Sequence, residues 1–175
     1  MKNPRILQIV GFSDSGKTTF ISSLIKVLKK KKLKVLTIKS ARNHKYSLSK
    51  KDTDIFIESG SDLSVAVFEN VTQITYNSQL DVSEIIEYST NLIKPDIILI
   101  EGFKEKKYPK VLFWTKEFAD SLKIIETRDI LYVYSSDKNY KEFERRITEF
   151  VDKTNAFLEN DIYKLIKRIV EDFKL

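Results

Sequence analysis

Cysteine is absent from this chain of 175 residues. Without thiols the protein forms no disulfide, no thiolate metal site and no cysteine nucleophile. The composition therefore gives no reason to expect an oxidising compartment, and we expect a cytoplasmic protein. A chain of this length buries roughly two thirds of the surface that its unfolded form exposes. We therefore expect residues 1–175 to fold as a single domain without disulfide or metal support.

Long hydrophobic runs are also lacking. The apolar runs "IILI" and "ILYVY" are far shorter than the roughly 20 residues that a membrane-spanning helix needs. The N-terminal run "RILQIV" leads into a glycine-containing loop, not into a small-residue cleavage site, so it predicts a strand and not a signal peptide. We expect a soluble protein with no membrane partner.

The net charge of +6 suits anionic ligands as well as solubility. The densest basic run, Lys29 to Lys32, closes a predicted helix, where it would complement the helix dipole. Aromatic residues are not interleaved with the lysines as they are in proteins that bind single strands, and no nucleic-acid recognition motif is present. We therefore do not expect a nucleic-acid partner.

The pattern of apolar residues alternates between strands and helices. It predicts an α/β sandwich with a mostly parallel central sheet and helices on both faces. The predicted strands are Arg5 to Val10, Leu33 to Lys39, a hairpin of Leu63 to Glu69 and Thr72 to Asn77, Asp96 to Glu101, Lys110 to Thr115 and Asp129 to Ser136. The predicted helices are Lys17 to Leu28, Asp52 to Gly60, Asp81 to Ile93 and one or two in residues 141–175, where a last apolar stripe begins at Leu158.

Two of the only four glycines flank the stretch "GFSDSGKTTF". It matches the phosphate-binding pattern G-x-x-x-x-G-K-[ST], follows a predicted strand and opens a predicted helix, which is the context that this P-loop requires. An ordinary strand-to-helix turn is the alternative, but such a turn would not need the lysine. We therefore predict a P-loop NTPase-like fold whose nucleotide-binding residues are Gly11, Ser13, Asp14, Ser15, Gly16, Lys17, Thr18 and Thr19. Lys17 would reach the terminal phosphates, and the Thr18 hydroxyl would bind Mg²⁺.

A carboxylate near the magnesium ion usually follows a second apolar strand in such proteins. The run "DIILIEGF" offers Asp96 before the strand and Glu101 after it. Ligands of open α/β sheets bind at the carboxyl ends of the strands, so Glu101 is the predicted metal ligand. The alternative for Glu101 is a solvated carboxylate at a strand end.

The chain resembles the MobB family of molybdopterin guanine dinucleotide biosynthesis. Members open with G-[YF]-S-[ND]-S-G-K-T-T, matched here by "GFSDSGKTT", and carry "VEGFK" followed by "PK", matched by "IEGFKEKKYPKVLFW". The segment between them, "IKSARNHKYSLSKKDTDIFIESGSD", follows the family's order, and all four glycines fall in its motifs. Family members have paired histidines in this segment, of which this chain keeps only His44. Ser40 stands directly after a lysine, at a position where the family often has a histidine.

The resemblance implies a GTP-binding accessory protein that assists attachment of GMP to molybdopterin and hydrolyses GTP slowly if at all. It also implies Mg²⁺ as cofactor, a homodimer, and a molybdopterin guanylyltransferase or the machinery of cofactor transfer as partner. The catalytic candidates are Lys17, Glu101 and Asp52. A small-molecule kinase using the same P-loop is the alternative, although the arginines that follow Glu101 are few and lie mostly on predicted helices.

The polar connection from Ser40 to Lys51 is longer than most structural connections, which favours a functional loop. His44 is either catalytic or a surface residue beside Lys45, and Arg42 is a candidate anion contact. Asp52 either caps a helix or, as the resemblance implies, contacts magnesium or a water at the phosphate.

Many GTP-binding P-loop proteins select guanine with an Asn-Lys-x-Asp motif, and this chain contains no such motif. Asp137 follows the predicted strand "ILYVYSS", where a loop would reach the base of a nucleotide bound at the P-loop. Its carboxylate could accept hydrogen bonds from N1–H and the 2-amino group of guanine. Capping of the helix predicted to start near Tyr140 is the alternative role for Asp137.

Overall fold

The computed structural model describes residues 3–41, 52–115, 129–135, 155–158 and 161–175. In these ranges the elements are, in chain order, β1 (Arg5–Gly11), α1 (Lys17–Lys30), β2 (Val35–Lys39), α2 (Asp52–Glu58), β3 (Leu63–Val67), β4 (Thr72–Tyr76), α3 (Val82–Ile93), β5 (Ile97–Glu101), β6 (Lys110–Trp114), β7 (Ile130–Ser135), β8 (Ala156–Leu158) and α4 (Ile162–Asp172).

The chain divides into two compact units. The first comprises Met1–Ser40 and Ser89–Leu175, and the second comprises Ala41–Tyr88, so that the boundary falls within α3. None of the helices formed by the described ranges is both long and apolar enough to span a membrane.

The first unit contains a six-stranded sheet in the order β2-β5-β1-β6-β7-β8. Every neighbouring pair is parallel, which confirms the predicted parallel sheet. The central strands β1, β5 and β6 are almost fully buried along their lengths. Burial on both faces explains why their sequences read as continuous apolar runs, not as alternating ones.

Helices α1 and α4 pack against the same face of this sheet. Phe20 of α1 lies 5.2 Å from Phe113 of β6, measured between ring centroids, and Phe113 lies 4.9 Å from Tyr134 of β7. From α4, buried Leu165, Ile166 and Ile169 join the same core. The predicted apolar faces of α1 and α4 are thus confirmed.

The end of α4 is attached to the sheet by a hydrogen bond. Tyr132 Oη donates to Asp172 Oδ2 over 2.7 Å, and Arg168 Nε donates to the same oxygen over 2.9 Å. The hydrogen bond from Tyr132 is the main reason that the pKa of Asp172 is lowered. Leu158, expected on a helix, lies instead in β8, because a parallel pairing of Val133 to Ser135 with Ala156 to Leu158 takes up this short segment.

The second unit contains α2 and an antiparallel pair of strands. Helix α2 ends at Glu58, and the turn after it is closed by backbone hydrogen bonds from Gly60 N to Ile57 O and from Ser61 N to Phe56 O. Gly60 has φ +103°, a conformation that favours glycine, so the predicted helix stop is confirmed. Strands β3 and β4 form the predicted hairpin, with Leu63 opposite Tyr76 and Val65 opposite Ile74.

Candidate functional site

The two P-loop glycines lie at the end of β1 and directly before α1. A Cβ atom at Gly11 would lie 2.7 Å from Phe113 O and 2.8 Å from Phe113 Cβ, so no side chain fits beside β6. Gly16 has φ +89° and occupies the position that precedes α1. Since glycine has no side chain to cap a helix, the first N–H groups of α1 are left for a ligand at this end, and such groups bind phosphate well.

Lys17 is largely buried, with 9% of its surface exposed. Its Nζ donates to Phe12 O and lies 3.3 Å from Ser15 Oγ, so the amine bends back over the loop. Burial lowers the pKa of Lys17, and the attraction of Glu101 offsets part of this effect. A buried cation whose charge nearby carboxylates offset only in part is suited to an anionic ligand.

Thr18 and Glu101 lie in contact. Thr18 Oγ1 is 3.2 Å from Glu101 Oε2 and 3.3 Å from Glu101 Oε1. The pairing of β1 with β5 is parallel and sets Ile9 opposite Glu101, which places Glu101 at the same sheet edge as the P-loop. Asp96 lies at the other end, where its Oδ2 accepts a hydrogen bond from Lys34 N over 2.8 Å. The predicted direction of β5 is therefore confirmed.

The two oxygen-bearing side chains fit Mg²⁺. Neighbouring ligands in an octahedral magnesium site with bonds of 2.0–2.1 Å are about 2.9 Å apart, close to the spacing of Thr18 Oγ1 and Glu101 Oε2. Magnesium in proteins is commonly bound by one or two carboxylates, with waters and phosphate oxygens as the remaining ligands. No group of three or more acidic or histidine side chains suited to a metal occurs in the described ranges.

Lys39 is a further member of the site that the sequence reasoning missed. Its Nζ lies 3.2 Å from Glu101 Oε1 and 3.5 Å from Thr18 Oγ1. Its place as the last residue of a predicted parallel strand could have indicated this position. Lys104 is a second addition, with Nζ 5.1 Å from the centroid of the Phe12 ring. Both lysines lower the pKa of Lys17, so three positive charges surround the loop.

The turn after β5 is anchored to β1. Gln8 Nε2 donates to Gly102 O over 2.6 Å and to Phe103 O over 2.5 Å, while Gly102 N donates to Ile9 O over 3.0 Å. Gly102 has φ +89°, and a Cβ atom there would lie 2.8 Å from Ser40 Cβ. The family motif "EGF" therefore needs its glycine for both conformation and space. Sequence reasoning did not assign Gln8 any role.

The other predicted site residues lie as follows. Ser13, Asp14 and Thr19 are exposed on the P-loop and the first turn of α1. Asp52 is the exposed first residue of α2 in the second unit. Arg42, His44 and Asp137 fall outside the described residues, and β7, which precedes Asp137, ends at Ser135. The structure thus brings together Lys17, Thr18 and Glu101, while their roles toward a nucleotide stay predictions.

The chain is similar in sequence to a protein family and to proteins of two bacteria. The family model of MobB, molybdopterin guanine dinucleotide synthesis protein B, matches residues 6–136. The probable molybdopterin-guanine dinucleotide biosynthesis adapter protein of Bacillus subtilis is 32% identical over 134 residues, which are 73% of this chain and 75% of that protein. The molybdopterin-guanine dinucleotide biosynthesis adapter protein of Haemophilus influenzae is 29% identical over 160 residues, covering 89% of this chain and 88% of that protein.

Solved structures support the fold. The crystal structure of Bacillus subtilis MobB superposes with a TM-score of 0.73 at 24% identity and covers 95% of this chain and 96% of that one. A MobB homologue from Bacillus stearothermophilus superposes with a TM-score of 0.69 at 18% identity, covering 97% of each chain. With the P-loop, the "EGFK" turn and the family match over most of its length, this chain belongs to the MobB family.

Proposed function

We propose that this protein is an adapter of molybdopterin guanine dinucleotide biosynthesis that binds GTP with Mg²⁺ at the P-loop and assists the attachment of GMP to molybdopterin. The observation that carries the nucleotide site is the contact of Thr18 with Glu101 beside the buried Lys17. Family membership favours this role over a small-molecule kinase. The adapter names of the relatives in Bacillus subtilis and Haemophilus influenzae support the same pathway.

Hydrolysis of GTP is expected to be slow or absent. In this proposal Lys17 offsets charge on the terminal phosphates, Thr18 and Glu101 hold the metal, and Asp52 orients a water molecule. Slow turnover with GTP alone would argue against a kinase, which needs an acceptor.

Thermal-shift measurements with GTP, ATP and GMP, each with Mg²⁺ and with EDTA, test the nucleotide site. A ligand at 100 times its dissociation constant adds about 2.7 kcal/mol to the free energy of unfolding. GTP with Mg²⁺ should give the largest shift in the parent and none in Lys17→Ala. Equal GTP shifts in the two proteins would contradict the proposed site.

Asp137 is proposed to select guanine. A charged hydrogen bond of this type contributes about 1.5–3 kcal/mol, which corresponds to roughly ten- to a hundredfold preference for GTP over ATP. Asp137→Asn should lose most of this preference with little change in ATP affinity. An unchanged ratio of GTP to ATP affinity would assign Asp137 to helix capping.

The proposed protein partner is the guanylyltransferase that joins GMP to molybdopterin, or the machinery that transfers the finished cofactor. A cytoplasmic location suits both this partner and the lack of cysteine. Affinity purification of the tagged protein should enrich such a transferase, and more strongly with GTP and Mg²⁺ present. A repeated failure to enrich either class would count against the adapter role.

A homodimer is proposed through the β3–β4 hairpin. On one face of the hairpin, Leu63, Val65, Ile74 and Tyr76 are each about half exposed, and Val67 is 79% exposed. Directly opposite residues of paired strands share a face, so these side chains form one apolar surface of the kind that marks an interface.

Light scattering after size exclusion tests the dimer. Val65→Glu should shift the protein from dimer to monomer. Gln73→Glu is the matched control, because Gln73 pairs with Ala66 and therefore lies on the opposite face of the hairpin. A monomeric parent, or dissociation by both variants alike, would exclude this surface.

A further inference from the structure

We propose that the Lys39 ammonium group and a divalent cation compete for the Glu101 carboxylate, so that Lys39 sets the cation concentration at which the site fills. This inference rests on the proposed binding of GTP with Mg²⁺. It makes Lys39 a positioning residue that acts through Glu101.

The pairing of β2 with β5 fixes the two side chains side by side. Their parallel register sets Lys39 opposite Glu101, and Ser40 N donates to Glu101 O over 2.9 Å just beyond. Residues opposite each other in adjacent strands point to the same face. Lys39 Nζ is consequently held near Glu101 Oε1, at 3.2 Å, and near Thr18 Oγ1, at 3.5 Å.

The ammonium group thus contacts the same two side chains that fit Mg²⁺. Lys39 Nζ lies nearest Glu101 Oε1, whereas the spacing that fits Mg²⁺ joins Glu101 Oε2 and Thr18 Oγ1, so the two cations share one carboxylate and approach the same hydroxyl. Because one carboxylate carries a single negative charge, it cannot fully neutralise both cations at once. Binding of the metal therefore requires Lys39 to weaken or leave its contact.

The exposure of the two side chains shows which one can move. The Lys39 side chain is 60% exposed, whereas that of Glu101 is 14% exposed. An exposed lysine can exchange the carboxylate for water at little cost, while Glu101 stays at the end of its buried strand. Once released, Lys39 remains beside the P-loop, where its charge can face the phosphates.

The test compares Lys39→Met with the parent and with Lys26→Met, which removes an exposed lysine from α1. The Mg²⁺ concentration that gives half of the maximal GTP-induced thermal shift is measured for each. An exposed ion pair of this kind corresponds to about a two- to fivefold effect. Lys39→Met should lower the Mg²⁺ midpoint by that factor, and Lys26→Met should leave it unchanged.

The same comparison in a Glu101→Gln background separates competition from a general effect of charge. Without the carboxylate, Lys39→Met should no longer change the Mg²⁺ midpoint. An unchanged midpoint in the single variant, or an equal shift in both backgrounds, would overturn the proposal.

Binding of Mn²⁺ without nucleotide, followed by electron paramagnetic resonance, gives a readout independent of GTP. Lys39→Met should bind Mn²⁺ about two- to fivefold more tightly than the parent, and no increase would refute the competition. If GTP gives no thermal shift in the parent at any Mg²⁺ concentration, the proposed function is wrong, and the Mn²⁺ titration alone decides the role of Lys39.

Discussion

Thr18 and Glu101, which are 83 positions apart in the chain, meet with Thr18 Oγ1 3.2 Å from Glu101 Oε2. One residue lies in the first turn of α1 and the other ends β5. Their contact follows from the parallel pairing of β1 and β5, which brings the P-loop and the end of β5 to the same edge of the sheet. The hydroxyl and the carboxylate are therefore close enough to contact one ligand.

Thr18→Ala should weaken GTP binding only when Mg²⁺ is present. The hydroxyl is expected to bind metal, and loss of a group that supports a metal site costs about 10- to 100-fold in affinity. Titration calorimetry with Mg²⁺ and with EDTA measures this difference, and Ser23→Ala, which removes another hydroxyl from α1, is the control. A loss of equal size in EDTA would mean that the hydroxyl is not a metal ligand.

Glu101→Gln should retain GTP affinity in EDTA and lose most of the gain that Mg²⁺ gives. The amide keeps the shape of the side chain but removes the charge that attracts the cation. Asp96→Asn makes the same change at the opposite end of β5 and should leave the Mg²⁺ dependence intact. The reverse result, an effect of Asp96→Asn and none of Glu101→Gln, would move the metal site to the other end of the strand.

Lys17→Met should abolish the GTP-induced thermal shift and raise the melting temperature of the protein measured without nucleotide. Burial lowers the pKa of Lys17 below its ordinary value of 10.5, so the folded state binds its proton less tightly than the unfolded state does. The charged lysine therefore costs stability below the lowered pKa, and this cost disappears as the pH rises toward 10.5.

Melting temperatures across that pH range measure the effect of Lys17→Met. The advantage of the variant over the parent should be largest at neutral pH and should shrink as the pH rises. Lys26→Met, in which an exposed lysine is replaced, should show no such trend. A variant that is less stable than the parent at neutral pH would show that the contacts of Lys17 with the loop outweigh its burial.

Gly102→Ala should destabilise the fold more than Gly16→Ala. Both glycines have φ +89°, so both substitutions carry the conformational cost of about 1–2 kcal/mol for this region. Only at Gly102 does the new Cβ atom meet another, Ser40 Cβ at 2.8 Å, whereas at Gly16 nothing lies within 4 Å. Urea unfolding should show the difference, and Ser40→Gly in the Gly102→Ala background should remove it. Equal losses for the two glycines would mean that Ser40 moves aside freely.

The sequence predicted the elements of this fold where their patterns are long. The buried runs of β1 and β5 and the apolar stripe of α1 are each confirmed, and they place the P-loop and Glu101 at one edge. The short strand β8 was missed because its three residues are too few to show a period of two or of 3.6.

The candidate site was predictable only in part, for a related reason. Gly11, Lys17 and Thr18 are fixed by one local motif, whereas Lys39 and Gln8 enter through pairing between strands. Register is set by packing across the sheet, and a single sequence records it weakly. In the sequence Lys39 is an ordinary polar residue at the end of a strand, and only the pairing of β2 with β5 places it opposite Glu101.

The anchoring of the turn after β5 by Gln8 bears on how fast and how tightly a ligand is captured. The buried side-chain amide of Gln8 donates both of its hydrogens to the Gly102 and Phe103 carbonyl oxygens. These hydrogen bonds hold the backbone that follows Glu101 against the strand that leads into the P-loop. A carboxylate held in this way does not have to be ordered when a ligand arrives, and the entropy of association falls less than it would for a mobile loop. For the proposed nucleotide we therefore expect capture to be governed by diffusion and charge, without a slow rearrangement of this edge of the sheet.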